Sequence, residues 1–87
     1  MPNELDIEAY DMAQEAVTLM KGAILRLLAK HPEGLKATDI GRMLGVNGDA
    51  FAKGQEGWFQ WTILKIMEAE RTVEQVKDRG PWRIKLP

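Results

Sequence analysis

The chain has 87 residues, a formal net charge of −1 and no cysteine. This length and a hydrophobic content of 45% support one modest core, so we expect a single domain without disulfides or thiolate metal sites. No apolar run reaches the roughly 18 residues of a membrane span, and the acidic start lacks the basic residues of a signal peptide, so we expect a cytoplasmic protein. Residues 1–20 contain five acidic residues and no basic one, whereas the remainder contains all 12 basic residues. An acidic arm therefore precedes a mildly basic body.

Residues 5–28 have the apolar spacing of one long amphipathic helix. The apolar stripe consists of Tyr10, Ala13, Val17, Met20, Ile24, Leu27 and Leu28. A helix of about 25 residues is longer than so small a domain is wide, so its first half needs another surface to cover. A break near Thr18 would instead give two shorter helices.

The first half of this helix carries apolar residues beyond the part that one small core can bury. They are Leu5, Ala9, Met12 and Ala16. Because such a stripe would otherwise face water, we expect a homodimer that forms through helix 1. The alternative is a solvated helical overhang.

The segment 35–45 predicts a short strand followed by a short helix. Residues 35–37 are too few for anything but a short strand. Thr38 is suited to an N-cap before a helix at 39–44, and Gly45 is suited to the left-handed residue that ends it. The side chains that we expect to face inward are Ile40, Met43 and Leu44.

Residues 46–57 contain three glycines and predict a loop, after which helical spacing resumes at 58–69. The side predicted to be buried contains Phe59, Ile63, Ile66 and Met67, flanked by Leu64 and Gln60. The opposite side contains Trp58, Trp61, Thr62, Lys65 and Glu68.

Trp58 and Trp61 are large rings on the side opposite to the predicted core, and three interpretations remain open. The loop 46–57, with Phe51, folds over them as a satellite core. Alternatively, they form an aromatic hot spot for a protein partner, or they stack on the bases of a single-stranded nucleic acid.

The sequence from Thr72 onward predicts a β-hairpin, because β-branched residues are followed by a strict alternation of apolar and basic residues. The apolar members of that alternation are Trp82, Ile84 and Leu86. The predicted turn at 78–81 contains Gly80, the glycine that a tight reversal needs.

The chain resembles the winged-helix superfamily in the order of these elements. The resemblance lies in ATDIGRMLGV at 37–46, in ILKIME at 63–68 with TVEQV at 72–76, and in RGPWRI at 79–84. It implies an α+β fold: a small winged helix-turn-helix of three helices plus a C-terminal β-hairpin wing at 18–87, preceded by an acidic helical extension at 1–17. The connection 46–57 is longer than the few residues usual between the second and third helices of this superfamily.

Winged helices that bind double-stranded DNA place the third helix in the major groove and the wing over the backbone or the minor groove. The residues that the resemblance assigns to these roles are Trp61, Thr62 and Lys65 in the third helix and Lys77, Arg79 and Arg83 in the wing. Lys53 stands just before helix 3 and is a further candidate for a contact to the DNA backbone. We therefore expect a small transcription factor or DNA-associated protein.

A winged helix can also serve as a protein-interaction module, and that is the alternative function. Its contact surface would consist of Trp58, Trp61 and the acidic N-terminal helix.

The sequence contains no pattern typical of an enzyme. Serine and cysteine are absent, and His31 is the only histidine, so we expect neither a nucleophilic site nor a metal site. The glycine beside Lys53 lacks the Gly-Lys-Ser or Gly-Lys-Thr of a phosphate-binding loop. We expect no catalytic activity and no cofactor.

Overall fold

The computed structural model describes residues 6–46 and 57–87. Within these residues the fold is α+β, with three helices followed by a two-stranded antiparallel hairpin. The elements are α1 (Ile7–Leu28), α2 (Ala37–Leu44), α3 (Trp58–Ala69), β1 (Val73–Gln75) and β2 (Trp82–Ile84). No helix in the described ranges is both long enough and apolar enough to cross a membrane.

Helix α1 is continuous, so the alternative of two shorter helices with a break near Thr18 is wrong. Its start is fixed by Asp6, whose carboxylate accepts a hydrogen bond of 3.0 Å from the Ala9 amide. Only Met20, Ile24 and Leu28 are buried, and they lie one turn apart in the second half. The first half of the helix therefore extends past the core into solvent.

Helix α2 begins earlier than predicted. Lys36 occupies the N-cap position and offers no side-chain cap, whereas Thr38 already lies in the first turn, so the prediction of Thr38 as N-cap is wrong. Gly45 has a φ of 73° and ends the helix in the left-handed conformation, as predicted. Met43 was expected to face inward but is 45% exposed, because the buried side of α2 consists of Ile40 and Gly41.

Helix α3 packs on the predicted side except at Ile66. The buried residues are Gln60, Ile63, Leu64 and Met67, whereas Ile66 is exposed. Apolar residues occupy almost the whole circumference of this helix, so periodicity alone does not determine which side packs. The prediction that Trp58, Trp61, Thr62 and Lys65 lie opposite the core is confirmed, whereas Glu68, predicted to lie with them, is partly buried.

The C-terminal hairpin closes the core with Trp82, which is 1% exposed. In its register Val73 is paired with Ile84, and Gln75 is paired with Trp82. The predicted short strand at 35–37 is reduced to a single bridge, in which Leu35 exchanges two backbone hydrogen bonds of 2.7 and 2.8 Å with Trp82. Through this bridge the segment between α1 and α2 is joined to β2.

The hairpin loop reverses differently from the prediction. The residue in the left-handed conformation is Arg79, with a φ of 61°, and not Gly80. Glycine is favoured at position 80 for a different reason, which is the close approach of its backbone to Lys77, whose carbonyl accepts a 2.7 Å hydrogen bond from the Gly80 amide. A Cβ at Gly80 would lie 3.0 Å from the backbone nitrogen and oxygen of Lys77, which is tighter than ordinary contacts.

Candidate functional site

A groove of about 310 Å³ lies where the start of α2, the exposed side of α3 and the hairpin loop meet. Its lining comes from Lys36, Ala37, Thr38, Trp61, Gln75, Arg79, Gly80 and Trp82. Three separate parts of the sequence converge here because the Leu35–Trp82 bridge holds the start of α2 beside the hairpin. We call this feature the α2–hairpin groove.

The start of α2 contributes backbone amides to this groove. The first hydrogen bond along the helix runs from the Ile40 amide to the Lys36 carbonyl, at 3.0 Å, so the amides of residues 37–39 precede the intrahelical ladder. No side chain caps them. Because the aligned peptide dipoles also give a helix a partial positive charge at its N-terminus, this wall of the groove favours an anion.

Two cations add to that potential. Lys36 and Arg79 line the groove, and neither forms an ion pair with an acidic residue of the described chain. Lys77 is exposed on the same hairpin loop and is likewise unpaired within those residues. The groove therefore has basic residues on two of its sides.

The exposed side of α3 brings together the three residues predicted for the major groove, Trp61, Thr62 and Lys65. The Lys65 ammonium lies 5.5 Å from the centroid of the Trp61 ring and donates a 2.7 Å hydrogen bond to Glu68. Trp61 is 49% exposed and lines the groove, so an aromatic surface adjoins the basic residues. Trp58 is equally exposed but does not line the groove.

Arg83 is separated from this group. Strand residues alternate between the two sides of a hairpin, so Arg83 and its cross-strand neighbour Glu74 lie on the side opposite to Trp82. Arg83 donates a 2.8 Å hydrogen bond to Glu74, and this bond holds the pKa of the Glu74 carboxyl below its usual value. The positive charge of Arg83 is thus largely compensated by the Glu74 carboxylate.

The remaining predicted residues fall in other places. Ala9, Met12 and Ala16 are exposed on the first half of α1. Three of the predicted residues lie outside the described ranges, namely Leu5, Phe51 and Lys53. The loop 46–57, which was one candidate to cover Trp58 and Trp61, also lies outside them except for its two end residues.

The sequence does not point to Lys36 or to the start of α2 as part of the site, because Thr38 has the residue type of a helix N-cap. A usable signal is nevertheless present, because a basic residue directly before an amphipathic helix places positive charge where backbone amides are unpaired.

Residues 6–46 and 57–87 contain no cluster of three or more histidine, cysteine, aspartate or glutamate side chains that could hold a metal ion. No protein-family model matches the chain, and no curated protein or solved structure is significantly similar to it.

Proposed function

We propose that the chain is a winged-helix domain that binds double-stranded DNA, with the α2–hairpin groove on the DNA backbone. One observation carries this proposal: the groove combines the uncapped start of α2 with two cations, Lys36 and Arg79, that lack an acidic partner in the described chain. A phosphate is the anion that matches amide donors flanked by a lysine and an arginine.

Each part of the surface has a separate role in this proposal. The groove binds phosphates and thereby orients the domain, because contacts to the backbone fix position without reading sequence. The exposed side of α3 then faces the bases, where Thr62 and Lys65 supply hydrogen-bond donors. Trp61 packs its ring on sugars or thymine methyl groups. Lys77 and Arg79, on the hairpin loop, extend the contact along the backbone.

The charges set the expected strength of binding. Among the residues that the structure describes, the unpaired cations on this surface are Lys36, Lys77 and Arg79, since Lys65 and Arg83 are bonded to Glu68 and Glu74. Each phosphate that a protein neutralises contributes about −0.9 to the slope of log affinity against log salt, so a slope between about −2 and −4 is expected for one domain. Such binding is weak and strongly salt-dependent.

The test compares two arginines that share an unusual backbone conformation. Arg79 and Arg71 have φ values of 61° and 66°, and both are exposed, but only Arg79 lines the groove. Replacing either with glycine removes one positive charge and favours the same backbone geometry. Binding to a mixed-sequence duplex is measured by fluorescence anisotropy at several salt concentrations.

Arg79→Gly should weaken binding and reduce the salt slope by about 1, whereas Arg71→Gly should change neither appreciably. Equal effects of the two substitutions would mean that only net charge matters, and no binding at low salt would refute DNA as the ligand.

A protein-interaction surface is the second candidate, and the observation that favours it is the exposure of both indoles. Trp58 and Trp61 are each 49% exposed, and aromatic residues dominate binding hot spots. The two functions differ in what they require of Trp58, because it lies outside the groove. DNA binding should be weakened by Trp61→Ala and unaffected by Trp58→Ala, whereas a protein interface centred on the indoles should need both.

A further inference from the structure

Helix α1 carries a second apolar stripe that contributes to the core only at its C-terminal end, where Leu27 packs against the buried cluster. Except for Leu27, which follows Arg26, each residue of the core-facing stripe is preceded along the chain by another apolar residue. These preceding residues are Ala9, Met12, Ala16, Leu19, Ala23 and Leu27. A shift of one residue turns the direction by about 100°, so this second stripe runs along the helix on a different side from Met20, Ile24 and Leu28.

The second stripe is uncovered over most of its length. Met12 and Leu19 are 67% and 68% exposed, and Ala9 and Ala16 are exposed as well. Towards the C-terminus the stripe enters a groove of about 210 Å³, in which Ala23 and Leu27 face Leu44 of α2. An apolar surface therefore continues from the free half of α1 onto the body of the domain.

We propose that this stripe binds the same stripe of a second copy of the chain, with the two α1 helices antiparallel. The spacing of residues along the second stripe supports this pairing. From Ala9 to Ala23 the stripe advances by alternating steps of three and four residues, which is the 3.5-residue period of a coiled-coil seam.

The alternation of small and large side chains along the second stripe supports the antiparallel orientation. Alanines recur every seven residues, at Ala9, Ala16 and Ala23, and the large residues Met12 and Leu19 lie between them. In an antiparallel pair, Met12 of one copy lies against Ala23 of the other, and Leu19 lies against Ala16. A parallel pair would instead stack alanine on alanine and leave gaps, which close-packed interfaces avoid.

The distribution of charge along α1 also supports the antiparallel orientation. The first half of α1 contains Glu8, Asp11 and Glu15, whereas the groove at its other end is lined by Arg26 and Lys30. The antiparallel arrangement brings the acidic half of each helix to the basic end of the other copy. Because opposite charges then face each other in both halves, this arrangement is favoured over the parallel one, which would place the acidic halves side by side.

The first test measures association by sedimentation equilibrium and uses two matched substitutions. Leu19→Glu places a charge on the second stripe, and Ile7→Glu places the same charge on an equally exposed residue, 66%, outside that stripe. Both side chains face solvent in a single chain, so circular dichroism should show the same helix content for both variants. Leu19→Glu should raise the dissociation constant of the dimer by at least about tenfold, and Ile7→Glu should leave it within a factor of about two. A monomeric wild type at high micromolar concentration, or equal effects of the two variants, would overturn the proposal.

The second test determines the relative orientation of the two α1 helices by disulfide cross-linking. Because the chain has no native cysteine, only the introduced cysteines can form a disulfide. In the antiparallel pair Ala9 lies opposite Arg26 of the second copy, while the two Ala9 residues are about 25 Å apart along the axis. A mixture of Ala9→Cys and Arg26→Cys chains should therefore form a mixed disulfide under mild oxidation, because a disulfide needs Cα atoms closer than about 7 Å. Efficient cross-linking of Ala9→Cys to itself, with none to Arg26→Cys, would overturn the antiparallel arrangement.

Discussion

At the residue scale, the contact between Gly41 and Gln60 determines how closely α2 and α3 approach. Gln60 is fully buried, and its Nε2 donates a 3.1 Å hydrogen bond to the Ala37 carbonyl. Its Oε1 is buried and has no hydrogen-bond partner within residues 6–46 and 57–87. The amide occupies the space above Gly41, where a Cβ would lie 2.6 Å from the Cδ of Gln60. Glycine is therefore tolerated inside a helix here because a side chain from the neighbouring helix takes its place.

This contact predicts opposite effects for alanine at two helical glycines. Gly41→Ala should displace the Gln60 amide from the Ala37 carbonyl and lower the free energy of unfolding by about 1–3 kcal/mol, since a buried polar group loses its partner. Gly22→Ala should raise it by up to about 1 kcal/mol, because a Cβ there meets nothing within 4 Å and alanine favours the helix. Urea unfolding of the two variants measures both changes. A stabilising Gly41→Ala would contradict the described packing of Gln60.

At the element scale, the sequence is most informative where one interaction dominates and least where several compete. The regular spacing of apolar residues predicts α1 and the hairpin. Gly45 ends α2 as predicted, because few other residues adopt the left-handed conformation. The buried side of α3 was predicted incorrectly at Ile66, since apolar residues surround the helix and only packing against Gly41 and α1 selects one side. Of the residues that line the groove, the sequence predicts only Trp61 and Arg79 as site residues, because Lys36 reaches the groove through the Leu35–Trp82 bridge, which no local pattern encodes.

The same bridge makes Trp82 the residue on which the junction of the elements depends. Trp82→Ala should lower the free energy of unfolding by about 3–5 kcal/mol, since Trp82 is fully buried and its removal leaves a large cavity between the helices and the hairpin. Trp58→Ala removes an equal volume from a half-exposed position and should cost much less. Thermal melts monitored by circular dichroism compare the two variants. Similar melting temperatures for both would show that the hairpin does not close the core.

At the scale of the whole molecule, charge and packing divide the chain at the same point. The five acidic residues of the first 20 all precede Met20, the first buried residue along the described chain, whereas every basic residue follows it. The half of α1 that contributes almost nothing to the core thus carries the negative charge. The remaining body is basic, as a protein that binds a polyanion requires.

This division predicts where the chain can be shortened. Removing residues 1–12 should leave the melting temperature of the monomer within about 4 °C, because the residues among them that the structure describes, 6–12, are all exposed. Removing residues 1–20 also deletes Val17 and Met20, which pack on or within the core, and should lower the melting temperature much further or prevent folding. Melts at low micromolar concentration keep self-association from contributing. Unfolding of the shorter deletion would show that the acidic half supports the body.

The pairing of Leu35 with Trp82 also has a consequence for synthesis of the chain on the ribosome. Translation proceeds at about 5–20 residues per second, and Leu35 precedes its strand partner by 47 positions. Until Trp82 has left the exit tunnel, the nascent helices can form but have no side chain to close the space between α1, α3 and the hairpin. The apolar surfaces of those helices remain available to chaperones for that interval. The core of this domain is therefore complete only once Trp82 has emerged.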